Sequence, residues 1–245
     1  MNIGVIFAGG VGKRMHSKDR PKQFLEVYGK PIIIHTLEVF QNCDEIDAIV
    51  IACVEQWIDY LNKLVEKYRI TKVQKIVKGG ETGQLSIYNG LLAAKEVAKD
   101  NEAIVLIHDG VRPLITTDLL EANIESVKEY GSAITTSKVT ETIIVIDDAN
   151  RITTVPDRKQ SRIAKAPQSF RLNDVLNAHN QAIKEGRTSF IDSCTMMKHY
   201  GYDLYLVDGP SQNIKITTPE DFYLMRAMIE TKENEQLYSP SEIKE

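Results

Sequence analysis

Short apolar segments alternate with amphipathic segments through the first half of the chain, and this alternation limits the fold more than any other feature. Runs rich in valine and isoleucine cover Ile3 to Ala8, Ile46 to Cys53, Lys72 to Val77, Ala103 to Ile107 and Ala133 to Thr136. The segments between them predict helices at Ile32 to Gln41, Gln56 to Lys67, Gly83 to Ala98 and Asp118 to Glu129. Runs of about four to eight apolar residues between such helices are typical of a buried parallel sheet. The sequence therefore predicts an α/β fold, a Rossmann-like doubly wound and mainly parallel sheet.

A β-hairpin is predicted to project from this sheet. Two strand-like pieces, Thr142 to Ile146 and Arg151 to Val155, are joined by the turn-forming residues 147–150. We call the segment at about 139–158 the β-arm. Such an arm is often a contact between subunits, although hairpins with no partner are equally common.

The C-terminal part adds a strand at Leu204 to Val207 and a helix from about Pro219 to Glu230. No internal repeat or interdomain linker interrupts the chain. We therefore expect a single domain over 1–232, followed by a polar C-terminal tail at 233–245.

Composition narrows the class of protein. Hydrophobic residues make up 42% and charged residues 26% of the 245 residues, as in ordinary soluble proteins. A net charge of −4 provides no overall attraction to nucleic acid or to an anionic membrane, so neither partner is expected. Three widely spaced cysteines indicate neither a disulfide framework nor a zinc site. No signal peptide or apolar span of about 18 residues is visible, and a cytoplasmic location is expected.

A glycine-rich turn follows the first predicted strand, in the segment Phe7 to Met15 (FAGGVGKRM). Glycines let backbone N–H groups approach phosphate oxygens closely. The end of this turn and the residues after it contain many basic side chains and a single acidic one, Asp19. The basic residues are Lys13, Arg14, His16, Lys18, Arg20 and Lys22. This density of positive charge indicates a polyanionic ligand.

Other phosphate-binding loops fit this turn poorly. A Walker A loop would need glycine where Phe7 stands and serine or threonine where Arg14 stands. A dinucleotide fingerprint would need glycine at Met15 and an acid about 20 residues further on. ATPase and nicotinamide-dependent activity are therefore disfavoured, while a plain glycine turn with surface cations stays open.

The glycine-rich turn is the first of eight short motifs along the chain. They are AGGVGKRM (8–15), RPKQF (20–24), GKPIIIHTL (29–37), GG (79–80), SIYNGL (86–91), HDGVRP (108–113), APQSF (166–170) and NIKIT (213–217). In this order they resemble the sugar-phosphate nucleotidyltransferases, and in particular the cytidylyltransferase family that contains the methylerythritol phosphate and ribitol-5-phosphate enzymes. The resemblance runs from about Ile3 to Ile229.

The resemblance implies a site for CTP. The nucleotide loop would consist of Ala8, Gly9, Gly10 and Gly12. The catalytic cations, which grip the triphosphate and stabilise the reacting α-phosphorus, would be Arg14, Lys22 and Lys215. The cytosine pocket would be lined by Gly79, Gly80 and Ser86. Mg²⁺ is the expected cofactor, held mainly by the phosphates and with Asp109 as a possible ligand.

The same resemblance implies a second site for a small alditol phosphate. Asp109 would lie near both the ribose and the acceptor, and Arg112 would shape the neighbouring loop. Thr142 and Arg158, in the β-arm region, resemble acceptor-binding positions that reach into a neighbouring subunit. A homodimer formed through the β-arm is therefore expected.

The implied reaction is in-line attack by the acceptor phosphate on CTP with loss of pyrophosphate, which needs positioning and positive charge more than a general base. This chain departs from the familiar pattern at Gly83, Ala166 and Ile191, where relatives often carry an arginine and two threonines. Ribitol 5-phosphate is favoured as acceptor, with 2-C-methyl-D-erythritol 4-phosphate as the alternative. A silent nucleotide-binding sensor and a nicotinamide oxidoreductase are the remaining alternatives.

Overall fold

The architecture is that of a mixed, mostly parallel sheet with helices on both faces. The computed structural model describes residues 1–9, 20–98 and 102–238, with side chains described as far as residue 231. The strands are β1 (Asn2–Ala8), β2 (Glu26–Val27), β3 (Lys30–Pro31), β4 (Ala48–Cys53), β5 (Val73–Lys78), β6 (Ile104–Asp109), β7 (Ser132–Lys138), β8 (Val145–Ile146), β9 (Ile152–Thr154), β10 (Arg162–Arg171) and β11 (Leu206–Asp208). The helices are α1 (Ile32–Asn42), α2 (Ile58–Lys67), α3 (Gly83–Val97), α4 (Thr117–Tyr130), α5 (Leu172–Lys184), α6 (Ser193–His199) and α7 (Pro219–Tyr238).

The main sheet has seven strands in the order β11-β7-β10-β6-β1-β4-β5. Strand β10 runs antiparallel to both of its neighbours, and the other neighbouring pairs in this sheet are parallel. The predicted fold class is therefore confirmed. The predicted hairpin is present as the antiparallel pair β8–β9, with strands shorter than the sequence indicates.

Two apolar layers form the core, one on each face of the sheet. Alternate β1 side chains enter opposite layers, since Ile6 packs with α1, α2 and α4, whereas Val5 packs with α3, α5 and α6. This is the alternation that a strand covered on both faces requires. A smaller cluster joins Val111, Ile216 and Met225, and it fixes the loop after β6 against the segment that leads into α7.

Five elements were not predicted, namely the two-residue strands β2 and β3, the strand β10 and the helices α5 and α6. The helix α7 also continues to Tyr238 instead of ending near Glu230. Five of the eight residues at 231–238 are lysine, glutamate, glutamine or leucine, which are good helix formers and favour this extension.

The carboxyl ends of β1, β4, β5 and β6 lie at one edge of the sheet because these strands are parallel. The strand order changes direction at β1, with β4 and β5 on one side and β6 on the other. Open α/β sheets bind ligands outside the carboxyl ends at such a position. In the part of the chain that the structure describes, no helix combines the length and the apolar character needed to cross a membrane.

Candidate active site

The turns that follow β1 and β5 meet at one hydroxyl group. Ala8 ends β1, and a Cβ atom added to the next residue, Gly9, would lie 2.8 Å from Ser86 Oγ. A Cβ atom on Gly79 would lie 3.1 Å from the same oxygen. Glycine at both positions therefore permits the close approach of the two turns. The predicted loop residues Gly10 and Gly12 and the predicted catalytic residue Arg14 lie outside the described residues.

Ser86 holds the turn that leads into α3. Its Oγ atom accepts a hydrogen bond from the Gly80 N–H group at 3.0 Å and donates to the Thr82 carbonyl oxygen at 2.9 Å. Thr82 caps the helix, since its side chain accepts a hydrogen bond from the Leu85 N–H group at 3.1 Å. The structure thus brings Gly79, Gly80 and Ser86 together at the end of β5, with the serine hydroxyl bonded to the backbone.

Asp109 is the last residue of β6, and its carboxylate lies between two cations. The Nζ atom of Lys215 is 2.5 Å from Oδ1, and the Nε atom of Arg112 is 3.2 Å from Oδ2. Burial alone would raise the pKa of the Asp109 carboxyl group, but the charges of Lys215 and Arg112 outweigh it and lower the pKa below its ordinary value. Asp109 is therefore ionised at neutral pH.

Arg112 ties the loop after β6 to a distant segment of the chain. Its Nη1 atom donates to the Asn213 carbonyl oxygen at 2.8 Å, while its Nε atom contacts Asp109. The Asn213 side chain in turn donates to the Ala166 carbonyl oxygen at 2.7 Å. Because the Arg112 side chain is buried and engaged at both ends, its geometry suits a role in positioning Asp109 and the segment around Lys215.

Lys22 contacts the segment that carries Lys215, although the two lysines are far apart in sequence. The Nζ atom of Lys22 donates to the carbonyl oxygen of Ile216, the residue after Lys215, at 2.9 Å. The Lys215 ammonium lies 5.6 Å from the centre of the Phe7 ring in β1. Gln23 adds a bond from its side chain to the Ala8 carbonyl oxygen at 2.8 Å. The structure therefore brings Lys22, Lys215, Asp109 and the end of β1 into one region.

Thr142 and Arg158 do not join this region within one chain. Both are exposed, and the Arg158 guanidinium donates to the Thr140 carbonyl oxygen at 3.1 Å. Neither residue lines the cavity beside Asp109. Their predicted role in a neighbouring subunit's site stays a prediction.

A cavity of about 310 Å³ opens beside Asp109 and Lys215. All three positions where the sequence departs from the familiar pattern, Gly83, Ala166 and Ile191, lie on its wall. A Cβ atom on Gly83 would meet nothing within 4 Å among the described residues, and Ile191 is 89% exposed. Each of these three positions therefore contributes to the shape of this cavity.

Several polar residues of the cavity wall were missed from the sequence: Gln84, Lys165, Gln168, His179 and Asp192. Asp192 caps α6 by accepting from the Thr195 N–H group at 2.8 Å, and a capping pattern could have revealed it. Gln168 lies within a quoted motif, but its contact with Asp192, at 3.1 Å, depends on the tertiary fold.

His108 precedes Asp109 in β6 and contacts the loop after that strand. It is fully buried, and its Nε2 atom lies 3.0 Å from the Arg112 carbonyl oxygen. Burial lowers the pKa of His108 to about 4, so the ring is neutral at physiological pH and supports the loop after β6.

The candidate active site thus lies at the carboxyl edge of a mostly parallel sheet, where Gly9, Lys22, Asp109 and Lys215 lie in one region. A model of the family described as IspD, 2-C-methyl-D-erythritol 4-phosphate cytidylyltransferase, matches residues 3–231. The chain belongs to this cytidylyltransferase family, which confirms the predicted family and enzyme class.

Two curated relatives and one solved structure mark its position in the family. A ribitol-5-phosphate cytidylyltransferase of Streptococcus agalactiae serotype V is 57% identical over 238 residues, which cover 97% of this chain and 99% of that protein. A 2-C-methyl-D-erythritol 4-phosphate cytidylyltransferase of Clostridium botulinum is 39% identical over 229 residues, covering 94% and 97%. The structure of 4-diphosphocytidyl-2C-methyl-D-erythritol synthase from Anaerococcus prevotii has a TM-score of 0.80 at 27% identity, covering 94% of this chain and 96% of that one.

Proposed function

We propose that this chain transfers the cytidylyl group of CTP to ribitol 5-phosphate, giving CDP-ribitol and pyrophosphate. The observation that carries the reaction type is that Lys215 lies beside Asp109 and Phe7 at the end of β1, while Lys22 bonds to the backbone of the residue after Lys215. The choice of acceptor rests on the higher identity to the ribitol-5-phosphate enzyme, 57% against 39% for the methylerythritol phosphate enzyme.

The reaction needs little from the protein beyond placement and charge. An oxygen of the acceptor phosphate attacks the α-phosphorus of CTP, and the bond from that phosphorus to the β-phosphate oxygen breaks. The acceptor phosphate is already an anion at neutral pH, so no side chain has to remove a proton. Positive charge is needed to bring the two anions together and to stabilise the charge that develops on the phosphoryl oxygens.

Lys22 and Lys215 are suited to this role, and Arg14 is proposed to act with them. The Lys215 side chain is 39% exposed, so its ammonium can contact a ligand while staying near Asp109. Asp109 would then orient Lys215 and lie close to the ribose and the acceptor.

Mg²⁺ is proposed as the cofactor, held mainly by the phosphates of CTP. The described residues contain no group of three or more histidine, cysteine, aspartate or glutamate side chains that could hold a metal ion. Both carboxylate oxygens of Asp109 already face cations. The residues present therefore fit a metal that takes most of its ligands from substrate and water, as Mg²⁺ does.

The cavity beside Asp109 is the proposed acceptor site. Its volume of about 310 Å³ lies at the small end of the range for ligand pockets, which suits a polyol phosphate. The polar wall around Gln168 and Asp192 suits hydroxyl groups.

A panel assay tests the proposal. The protein is incubated with Mg²⁺, each of the four ribonucleoside triphosphates and each of several alditol phosphates, and pyrophosphate release is measured. We expect release with CTP and ribitol 5-phosphate. Release with 2-C-methyl-D-erythritol 4-phosphate instead would replace the acceptor and keep the enzyme class, whereas CTP binding without release would support a silent sensor.

We further propose a homodimer in which the β-arm of one subunit reaches the other subunit's acceptor site. The β-arm exposes several apolar side chains: Ile144, Val145, Ile146, Ile152 and Val155. Contiguous exposed apolar surface of this kind marks contact sites. Thr142 and Arg158 would be delivered to the acceptor phosphate by this contact.

Replacing Ile146 with lysine is expected to separate the dimer, because it places a charge within the apolar contact. Sedimentation should show a monomer, and KM for the acceptor should rise about tenfold or more while the helical circular dichroism is unchanged. Tyr223, on α7, is 66% exposed, so Tyr223→Lys is the matched control and should leave the dimer intact. A dimeric Ile146→Lys variant with normal acceptor KM would contradict the proposed contact.

A further inference from the structure

The cavity wall contains a buried histidine whose two ring nitrogens make no hydrogen bond with the described part of the protein. His179 lies on α5, is 1% exposed and lines the cavity beside Asp109. Its ring stacks on Tyr88 of α3, with the ring centres 5.7 Å apart. Neither ring nitrogen has a hydrogen-bond partner among the residues that the structure describes.

The neighbouring polar side chains differ from His179 in this respect. Gln84 donates to the Arg187 carbonyl oxygen and accepts from the Phe190 N–H group, each at 2.9 Å. Gln168 donates to Asp192 and accepts from the Cys194 N–H group at 2.8 Å. These residues hold the wall together, whereas His179 retains its full hydrogen-bonding capacity.

An unpaired buried polar group is costly for a protein to keep. Leaving such a group without a partner destabilises the folded state, because its hydrogen bonds to water are lost and not replaced. Burial lowers the pKa of His179 to about 4, so the ring is neutral at physiological pH. A neutral imidazole offers one N–H donor and one acceptor nitrogen. A hydroxyl group both donates and accepts, and it therefore matches either nitrogen.

We propose that His179 is a specificity-determining residue that binds a hydroxyl group of the acceptor's polyol chain. This inference rests on the proposed function, since it assigns the cavity between Asp109 and His179 to a phosphorylated polyol. The phosphate would lie toward Lys215 and Asp109, where it must react, and the carbon chain would extend along the wall that contains His179. A substrate without a hydroxyl at that point would leave the ring unpaired, so the site would discriminate against it.

His179→Phe tests the assignment because phenylalanine keeps a ring against Tyr88 and removes both nitrogens. We expect KM for ribitol 5-phosphate to rise about tenfold, with kcat and KM for CTP within about twofold of wild type. The melting temperature should be unchanged or higher, since an unpaired polar group is replaced by an apolar one. His179→Gln, which restores a donor and an acceptor, should recover part of the affinity.

Tyr88→Phe is the matched control. It removes a hydroxyl that donates to Asn180 at 2.7 Å and keeps the ring that stacks on His179, so all kinetic constants should stay at wild-type values. An unchanged KM for ribitol 5-phosphate in His179→Phe, or an equal rise in KM for CTP, would overturn the inference.

Calorimetry separates this inference from the proposed function. If the wild-type protein binds ribitol 5-phosphate without releasing pyrophosphate and His179→Phe weakens that binding, the inference stands and the proposed reaction fails. If pyrophosphate is released and His179→Phe binds the acceptor as tightly as wild type, the reaction stands and the inference fails. If no alditol phosphate binds the wild-type protein, both fail.

Discussion

Replacing Lys215 with methionine is expected to lower kcat/KM for CTP by about 10²- to 10³-fold, the loss seen when one well-placed donor to a developing charge is removed. Methionine keeps most of the length of the side chain near Phe7 and removes the charge. Asp109 retains Arg112 as a partner, so the fold should be maintained. Steady-state kinetics with circular dichroism as a check on folding would measure the effect.

Two further variants show whether the loss belongs to this position. Lys198 is a surface lysine 4.0 Å from Asp203, and Lys198→Met should leave kcat/KM within about twofold of wild type. Lys215→Arg keeps the charge but changes its geometry, so its kcat/KM should lie between the values of wild type and Lys215→Met. A Lys215→Met variant within about threefold of wild type would remove Lys215 from the catalytic set.

The sequence predicts best those strands and helices whose apolar residues follow a clear periodic pattern along the chain. Strands β1, β4 and β6 are covered on both faces, which gives each of them a continuous apolar run. The edge strand β5 is only partly buried, but its Val and Ile residues and the amphipathic helices beside it still indicate a strand. Residues of β4 are buried along its whole length, which explains its unbroken apolar run.

Strand β10 escaped prediction because its sequence contradicts that period. Pro167 interrupts it, and proline inside a strand normally argues against a central position. The structure accommodates it where the register against β7 shifts between Ala164 and Gln168. Tertiary contacts with β6 and β7 therefore override the local signal.

Helix α5 illustrates a signal that was present and missed. Its buried residues Leu172, Val175, Leu176 and His179 recur at helical spacing. Helix α6 is shorter, with the Asp192 cap as its clearest mark. Both helices contribute to the wall of the cavity beside Asp109. Because neither helix was predicted, His179 and Asp192 were not among the predicted site residues.

The contacts within the site could not be predicted from residue types alone. The resemblance implies that Lys22, Asp109 and Lys215 belong to the site. No local sequence pattern, however, predicts the ion pair of Lys215 with Asp109 or the hydrogen bond from Lys22 to Ile216. These contacts depend on the Ile216 N–H group, which bonds to the Val111 carbonyl oxygen at 2.9 Å and fixes the segment beside β6. The separation in sequence is large, so only the folded chain reveals them.

Replacing Asp109 with asparagine is expected to reduce both activity and stability, because it removes the anion that two cations share. The variant leaves the buried Arg112 and the partly exposed Lys215 facing a neutral amide of nearly the same shape. We expect kcat/KM to fall about 100-fold through misplacement of Lys215, and unfolding free energy at pH 7 to fall about 2 kcal/mol. The second value is moderate because Lys215 is partly exposed and its charge is screened by solvent. Urea unfolding and steady-state kinetics measure the two effects.

The pH dependence of that stability difference identifies its cause. The folded-state pKa of Asp109 lies below its ordinary value of 3.8, so the carboxylate's contribution to stability is present above that value and is lost as the pH falls through the folded-state pKa. The difference in unfolding free energy between wild type and Asp109→Asn should therefore be constant from neutral pH down to about pH 5. This difference, or gap, should become smaller below about pH 4. Asp203→Asn, at a side chain that is 87% exposed, is the matched control and should show almost no gap at any pH. A gap for Asp109→Asn that persists unchanged into strong acid would mean that shape and hydrogen bonding, and not the charge of Asp109, hold Lys215 and Arg112 in place.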